Sequence, residues 1–399
     1  MITKLHIENF KCLRDVTVEL KPLTVLIGMN DTGKTSFLDA LGMLGDLANG
    51  KAPPLLQNNG FDNVLRRGAE TRRLAWEATI APSPRITLAG PATYKLAISV
   101  RSAGLDVLDE QLSVEGLEIG ILREANGART TLSEDSQEVS VTGLRRDVVL
   151  LAWAKSQPHF RNWNAVADAL GTTPPYRFDS GRLTAPGSFN PGANDPGELP
   201  RIQSSGQGLP AVLDFLLGTR RKVFDQIERE LCDAVPQVKG ILVSPAVNAG
   251  TAGAKAISFE LAGGHTIPAS FASDGVLFLL AYLTLIHAPG APAVIRLEEP
   301  ENGIHPRQLE RVAGYLKRLT DPGRGAGTAQ IVVATHSPYF LDFVPPDSVI
   351  VFGRRENGET VTAPLLSLPG VKERIASGFS LGEMWFNVGE DELLADLVK

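Results

Sequence analysis

Runs of alternating and continuous apolar residues divide the chain before any motif is considered. Leu5–Ile7 and Val16–Leu20 alternate apolar with polar positions, which predicts two antiparallel strands with one face on a core. Three runs are apolar nearly throughout, as in strands buried on both faces: Leu23–Ile27 (LTVLI), Ala293–Leu297 (AVIRL) and Gln330–Ala334 (QIVVA). Over roughly 64–145, short strand-like stretches separated by turn residues predict a β-rich lobe. Helical spacing follows over 145–170, carrying Trp153 and Trp163, and returns over Leu209–Val235. Thr172–Pro200 is rich in Gly and Pro and reads as loop or partly disordered chain. Val276–His287 (VLFLLAYLTLIH) is apolar on nearly every side, which predicts a buried helix. The acidic GEDELLADL near the C-terminus, with Asp391, reads as a solvated helix face. No heptad pattern is sustained, so a long coiled-coil arm is not expected.

Composition narrows the class. The 399 residues include 39 Gly and 27 Pro and are 43% hydrophobic, values of an ordinary globular chain rather than a collagen-like or low-complexity one. That length suggests two or three domains or one elaborated domain. The longest apolar run, Gly275–Ile286, is too short to span about 30 Å of hydrocarbon. Cys12 and Cys232 make neither a disulfide framework nor a zinc spacing, and the N-terminus is patterned as a strand rather than a signal segment. A cytoplasmic, reduced setting without membrane contact is therefore expected. Lys plus Arg is 39 against 45 Asp plus Glu, a net charge of −6. That balance argues against a surface committed wholly to nucleic acid and leaves room only for a local basic groove. Arg66-Arg67, Arg72-Arg73, Arg145-Arg146, Arg220–Lys222 and Arg354-Arg355 are candidates to line one in a dimer, or are ordinary solvated surface.

Candidate chemistry gathers at the ends of the buried strands. Leu23–Ile27 runs directly into Gly28-Met29-Asn30-Asp31-Thr32-Gly33-Lys34-Thr35, followed by the helically spaced Ser36–Leu41. This is G-x-x-x-x-G-K-[ST] between a strand and a helix, the arrangement that wraps nucleotide phosphates with backbone N–H groups. The helix beginning at Gly33–Lys34 points its positive end at them. Lys34 would reach the β- and γ-phosphates, and Thr35 would offer a hydroxyl to Mg²⁺. Ala293–Leu297 ends in Glu298-Glu299-Pro300-Glu301-Asn302-Gly303-Ile304-His305-Pro306. Neighbours on a strand face opposite ways, so both glutamates can serve one site only if the strand ends there, as Pro300 suggests. Glu298 is then a metal-shell candidate and Glu299 a general base or water-positioning group; a solvated acidic loop is the plainer alternative. Gln330–Ala334 leads to Thr335-His336-Ser337-Pro338, where His336 can reach a γ-phosphate or lytic water, or simply cap the next helix. Ser273-Asp274-Gly275 opens the apolar helix, either as its N-cap or as an anion site.

As a set, GMNDTGKTS, SDGV, RLEEPENGIHP and VVATHSPYFLD resemble the ABC-type ATPase heads of the RecF/SMC superfamily, most nearly the stand-alone AAA-family ATPases related to OLD proteins. The resemblance covers residues 1–45 and about 265–345, with a weaker echo from Ser205 to Phe215. It implies an α/β ABC-type P-loop NTPase head with a mixed core sheet, flanking helices, a β-rich N-terminal lobe and a helical insertion. It implies one discontinuous ATPase domain, 1–144 and 236–399, interrupted by an insertion over 145–235. Gly28, Asn30, Asp31, Thr32, Gly33, Lys34, Thr35 and Ser36 fall on Walker A, and Thr35 and Glu298 on the Mg²⁺ shell. Glu299 falls on the catalytic glutamate, Asn302–His305 on the D-loop and His336 on the switch histidine. Ser273 and Gly275 fall on the signature, which in this family contacts ATP held by a second copy. Lys11 and Cys12 lie where the family's first strand approaches the nucleotide. Hydrolysis by a head-to-head dimer that gates a DNA or effector partner, plausibly in anti-phage defence, is the function implied; a scaffold with little turnover and a DNA-repair ATPase are the alternatives. Three departures stand out: Ala272 and Val276 flank the signature, Glu298 replaces an aspartate, and Asp31 replaces a glycine. Only 63 residues follow His336, too few for the TOPRIM nuclease of OLD proteins, so any nuclease effector is expected to be a separate protein.

Overall fold

The computed structural model describes residues 1–101, 104–115, 120–123, 129–134, 137–142, 145–155, 157, 160–189, 199–246, 253–290, 292–388 and 393. Asp391 and most of the expected acidic helix face lie outside the described residues, as do positions 190–198 of the expected Gly/Pro-rich loop. The chain divides into two compact units. The first holds Met1–Thr173, Pro292–Arg296 and Thr320–Lys399; the second holds Pro174–Ala291 and Leu297–Leu319.

The first unit contains an antiparallel sheet whose strands run, edge to edge, Leu13–Glu19, Ile2–Phe10, Leu74–Ile80, Ala92–Arg101 and Gly104–Val114. Its second sheet is mixed, in the order Val294–Glu298, Gln330–Thr335, Leu23–Ile27, Val349–Arg354 and Thr360–Pro364. All five residues of Leu23–Ile27 are buried, as expected of a strand flanked on both sides by parallel neighbours. A small antiparallel sheet joins Gly120–Arg123, Arg129–Glu134 and Gln137–Thr142. The helix Lys34–Ala48 buries Phe37, Leu38, Leu41 and Leu44 in a core shared with Phe10 and Trp76. Trp76 Nε1 donates to the Ala40 carbonyl at 3.1 Å, and Phe37 meets Phe352 edge-on at 5.9 Å, so this helix is held to both sheets. The helical pattern of 145–170 appears as two helices, Leu150–Ala154 and Arg161–Ala169, with Trp163 fully buried. Buried Glu110 accepts from the Leu150 and Leu151 N–H groups at 2.8 and 2.9 Å and from the Tyr94 hydroxyl at 2.8 Å. Its carboxylate thereby caps the first of these helices.

The second unit combines the antiparallel strands Val238–Pro245, Lys255–Leu261 and Thr266–Pro268 with several helices. The expected helix over Leu209–Val235 is two helices, Leu209–Thr219 and Arg221–Ala234, broken at Arg220 (φ −139°, ψ 53°). Gly218 weakens the junction and the Thr219 hydroxyl back-bonds to the Phe215 carbonyl at 2.6 Å, which ends the first helix. Phe224, Ile227, Leu231 and Ala234 are the buried stripe of the second. His287, at the end of the helix Asp274–His287, meets Glu230 at 3.0 Å, and Glu230 also accepts from Arg318 at 2.6 Å, tying three helices together.

Candidate functional site

The phosphate-loop motif occupies the turn between the central strand of the mixed sheet and the helix Lys34–Ala48. Its glycines stand where side chains do not fit: a Cβ on Gly28 would lie 2.2 Å from the Phe352 carbonyl oxygen. One on Gly33, at φ 104°, would lie 2.4 Å from Thr360 Oγ1. Asp31 adopts φ 65°, the left-handed region that Asp tolerates better than most residues. The N-cap residue of Lys34–Ala48 is Gly33, which has no side chain to offer, and no acid stands in the first turn, a helix start compatible with an anion. Lys34 Nζ donates to the Gly28 and Met29 carbonyls at 2.6 and 2.7 Å. Thr32 Oγ1 donates to the Met29 carbonyl at 2.9 Å, closing the loop on itself. Met29, Asn30 and Thr35 are exposed and Ser36 is half-buried.

The register of the parallel strands brings His336 to the same rim. Thr335 pairs with Ile27, so His336 and Gly28 leave neighbouring strands at one level, both at carboxyl ends, and His336 is exposed there. The Ser337 N–H donates to Thr335 Oγ1 at 2.9 Å, and Ser337, the N-cap residue of Pro338–Leu341, makes no capping hydrogen bond with its own side chain. Cys12 Sγ lies 3.4 Å from Ser36 Oγ, and Lys11 Nζ donates to Asp39 at 2.6 Å, so both reach the helix behind the loop.

The carboxylates and the signature residues belong to the second unit. The strand Val294–Glu298 ends as required: Glu299 turns to φ 48° and Pro300 follows. The Glu298 N–H donates to the Tyr176 carbonyl at 2.9 Å, Glu299 accepts from Asn302 Nδ2, and Arg177 stands 3.9 Å from the same carboxylate. Ser273 occupies the N-cap position of Asp274–His287 but makes no capping hydrogen bond with its hydroxyl and is exposed. Gly275 packs beside Gly303, whose carbonyl oxygen would lie 3.4 Å from a Cβ there. The structure thus joins the signature turn to the Asn302–His305 loop. Tyr282 carries that junction, its hydroxyl donating to the Pro300 carbonyl at 3.3 Å above an aromatic cluster with Phe178 and Phe278. Tyr176, Phe178 and Tyr282 carry no motif, and their only trace in the sequence is an aromatic in otherwise loop-like or apolar surroundings.

Walker-type loops hold Mg²⁺ through one hydroxyl, a carboxylate and the nucleotide's own phosphates rather than an all-protein cage. Among the described residues no three His, Cys, Asp or Glu group to hold a metal ion, and Thr35 and Glu298 offer one hydroxyl and one carboxylate, the donor types that such use requires. No helix among the described residues is long and apolar enough to cross a membrane.

Leu23–Ile27, the glycine-bounded loop and Lys34–Ala48 form a phosphate-loop motif in an α/β frame, and the chain is similar to the following known proteins. A family model described as an AAA domain, putative AbiEii toxin, type IV toxin–antitoxin system, matches residues 157–342, and one described as an AAA ATPase domain matches 1–100. The head of an SMC protein, solved bound to the C-terminal winged-helix domain of ScpA, matches at 14% identity over 92% of this chain and 98% of its own, with a TM-score of 0.55. The SMC head of Thermotoga maritima matches at 14% identity over 91% and 98%, with a TM-score of 0.42. An OLD nuclease of Thermus scotoductus is 44% identical over 48 residues, which is 12% of this chain and 9% of that protein. Two AAA-type ATPase models thus match separate parts of the chain, and its fold is that of an SMC head.

Proposed function

We propose that this protein binds and hydrolyses ATP, dimerises head to head around it, and uses the cycle to gate a partner. The observation that carries the reading is the phosphate loop: two glycines with no room for a Cβ, a left-handed Asp31 and an uncapped helix start, in a chain of ATPase class. Lys34 releases the Gly28 and Met29 carbonyls to hold β- and γ-phosphate oxygens, and the N–H groups of Gly33–Ser36 wrap the rest. Thr35 and Glu298 would hold Mg²⁺, which supplies charge neutralisation at the transferred phosphoryl group. Glu299 orients the attacking water and takes its proton, with Asn302 keeping its carboxylate aimed. His336 hydrogen-bonds the γ-phosphate, and Ser273 and Gly275 of the second copy close over it.

Lys34→Ala should abolish ATP binding in titration calorimetry. Glu299→Gln should retain binding, slow phosphate release by roughly two to three orders of magnitude and accumulate an ATP-bound dimer; unchanged turnover would remove Glu299 from the role. The partner is proposed to be a separate effector, such as a nuclease, in anti-phage defence. A DNA groove is less favoured because every basic cluster already spends a member on an internal ion pair: Arg66 with Glu359, Arg72 with Asp62, Arg73 with Glu8, Arg145 with Asp147, Arg221 with Asp225 and Arg354 with Asp31.

A further inference from the structure

Asp31 is where this phosphate loop departs from the glycine of its family, and it is also the residue that the strand Val349–Arg354 reaches. Arg354, the last residue of that strand, donates from Nη1 to the Asp31 backbone carbonyl at 3.2 Å and to the Asp31 carboxylate. On the returning strand, Thr360 Oγ1 donates to the Thr32 carbonyl at 2.9 Å. One hairpin therefore grips two consecutive loop residues, one from each of its strands. The Asp31 side chain is 83% exposed, so burial does not neutralise it, and an ionised carboxylate in a phosphate-wrapping loop repels the ligand.

We infer that Arg354 is a positioning residue of the phosphate loop: it holds Asp31 in the left-handed conformation and cancels its charge, so that the loop admits a polyphosphate despite the carboxylate. This rests on the nucleotide-binding reading of the loop. Arg354 acts through Asp31 rather than by touching the nucleotide, and that difference is measurable.

The test is Mg²⁺–ATP binding by the full chain, by Arg354→Ala and Arg354→Lys, and by the double variant Asp31→Asn with Arg354→Ala. Arg354→Ala should weaken binding by roughly three- to thirtyfold, more at low salt, where the uncompensated carboxylate is less screened. The double variant should recover most of that loss because the repelling charge is gone, and Arg354→Lys should keep most of the affinity while preserving the fold if the alanine variant is unstable. Equal weakness in Arg354→Ala and the double variant would mean that Arg354 contacts the nucleotide directly, and would overturn the inference. Unchanged affinity in Arg354→Ala would overturn it too. Lys34→Ala separates the two levels: retained ATP binding there removes the phosphate-loop reading itself, whereas lost binding there with an unaffected Arg354→Ala removes only the role of Arg354.

Discussion

At the residue scale, the site is defined as much by missing atoms as by functional groups. Gly33→Ala would force a φ of 104° on a residue with a Cβ and drive that Cβ toward Thr360 Oγ1. A cost of about 1–3 kcal/mol is expected, read as a lower urea midpoint together with lost ATP binding. Arg296 shows the opposite economy. It lies inside a run that reads as plainly apolar, yet it is 4% exposed, with its guanidinium donating to the Leu38 and Thr173 carbonyls. A Cβ on Gly42 would fall 2.0 Å from Arg296 Nη1, so a mid-helix glycine makes room for that guanidinium. Arg296→Met should destabilise the fold by about 2–3 kcal/mol, through a poorly filled space and acceptors left without a donor, with chemical denaturation as the check. The loop residues Gly28 to Thr35 were legible because their chemistry is local. Arg296 was not, because the Leu38 and Thr173 carbonyls it bonds come from distant parts of the chain.

At the element scale, the hairpin Val349–Arg354 and Thr360–Pro364 is the part that chain patterning assigned no role. It borders the phosphate-loop strand, bonds Asp31 and Thr32, and inserts Glu359 between Arg14 and Arg66 at 3.1 and 2.5 Å. Burial pushes the Glu359 pKa up, but hydrogen bonds and charge from Arg14 and Arg66, with Asn357, outweigh it and hold the carboxyl below the usual glutamate range. The folded state therefore binds this proton less readily than the unfolded chain. The stabilisation is fully present above the ordinary glutamate pKa and is lost as pH falls through the lower folded value. The urea midpoint should decline as pH falls below the ordinary glutamate range, and Glu359→Gln should flatten that decline while lowering the midpoint at neutral pH. A decline of equal depth in Glu359→Gln would place the titration on other groups.

At the scale of the whole molecule, the proposed ATP sandwich makes a prediction that no single chain can satisfy. Ser273→Arg should block hydrolysis and ATP-driven dimerisation while leaving monomer binding intact, and Lys34→Ala should block binding. Mixed together, the two inactive variants should recover partial turnover, because one composite site then joins an intact Lys34 to an intact Ser273 of the other copy. No recovery across mixing ratios would argue against a shared site. The Gly28–Thr35 loop and the Glu298–Glu299 segment, proposed to serve one site, stand about 260 residues apart. The first unit is assembled from both ends of the chain and a five-residue piece between them, while Glu298, Glu299 and Ser273 fall in the second unit, so the boundaries differ from the expected 1–144 and 236–399 with an insertion over 145–235.

The sequence by itself determined what short-range chemistry can encode: the buried strands, the glycine-bounded loop and the acids that follow a strand, the features on which the ATPase proposal rests. Strand periodicity and turn residues act over a few positions, so they survive in the linear text. Only the tertiary structure decided which distant groups serve the loop. Leu23–Ile27 pairs with Gln330–Thr335 and Val349–Arg354, and that register aligns His336 with Gly28 and delivers Arg354 and Thr360 to Asp31 and Thr32. Such contacts join residues more than 300 positions apart, and hydrophobic burial, which is non-directional, leaves no mark of them in the local pattern.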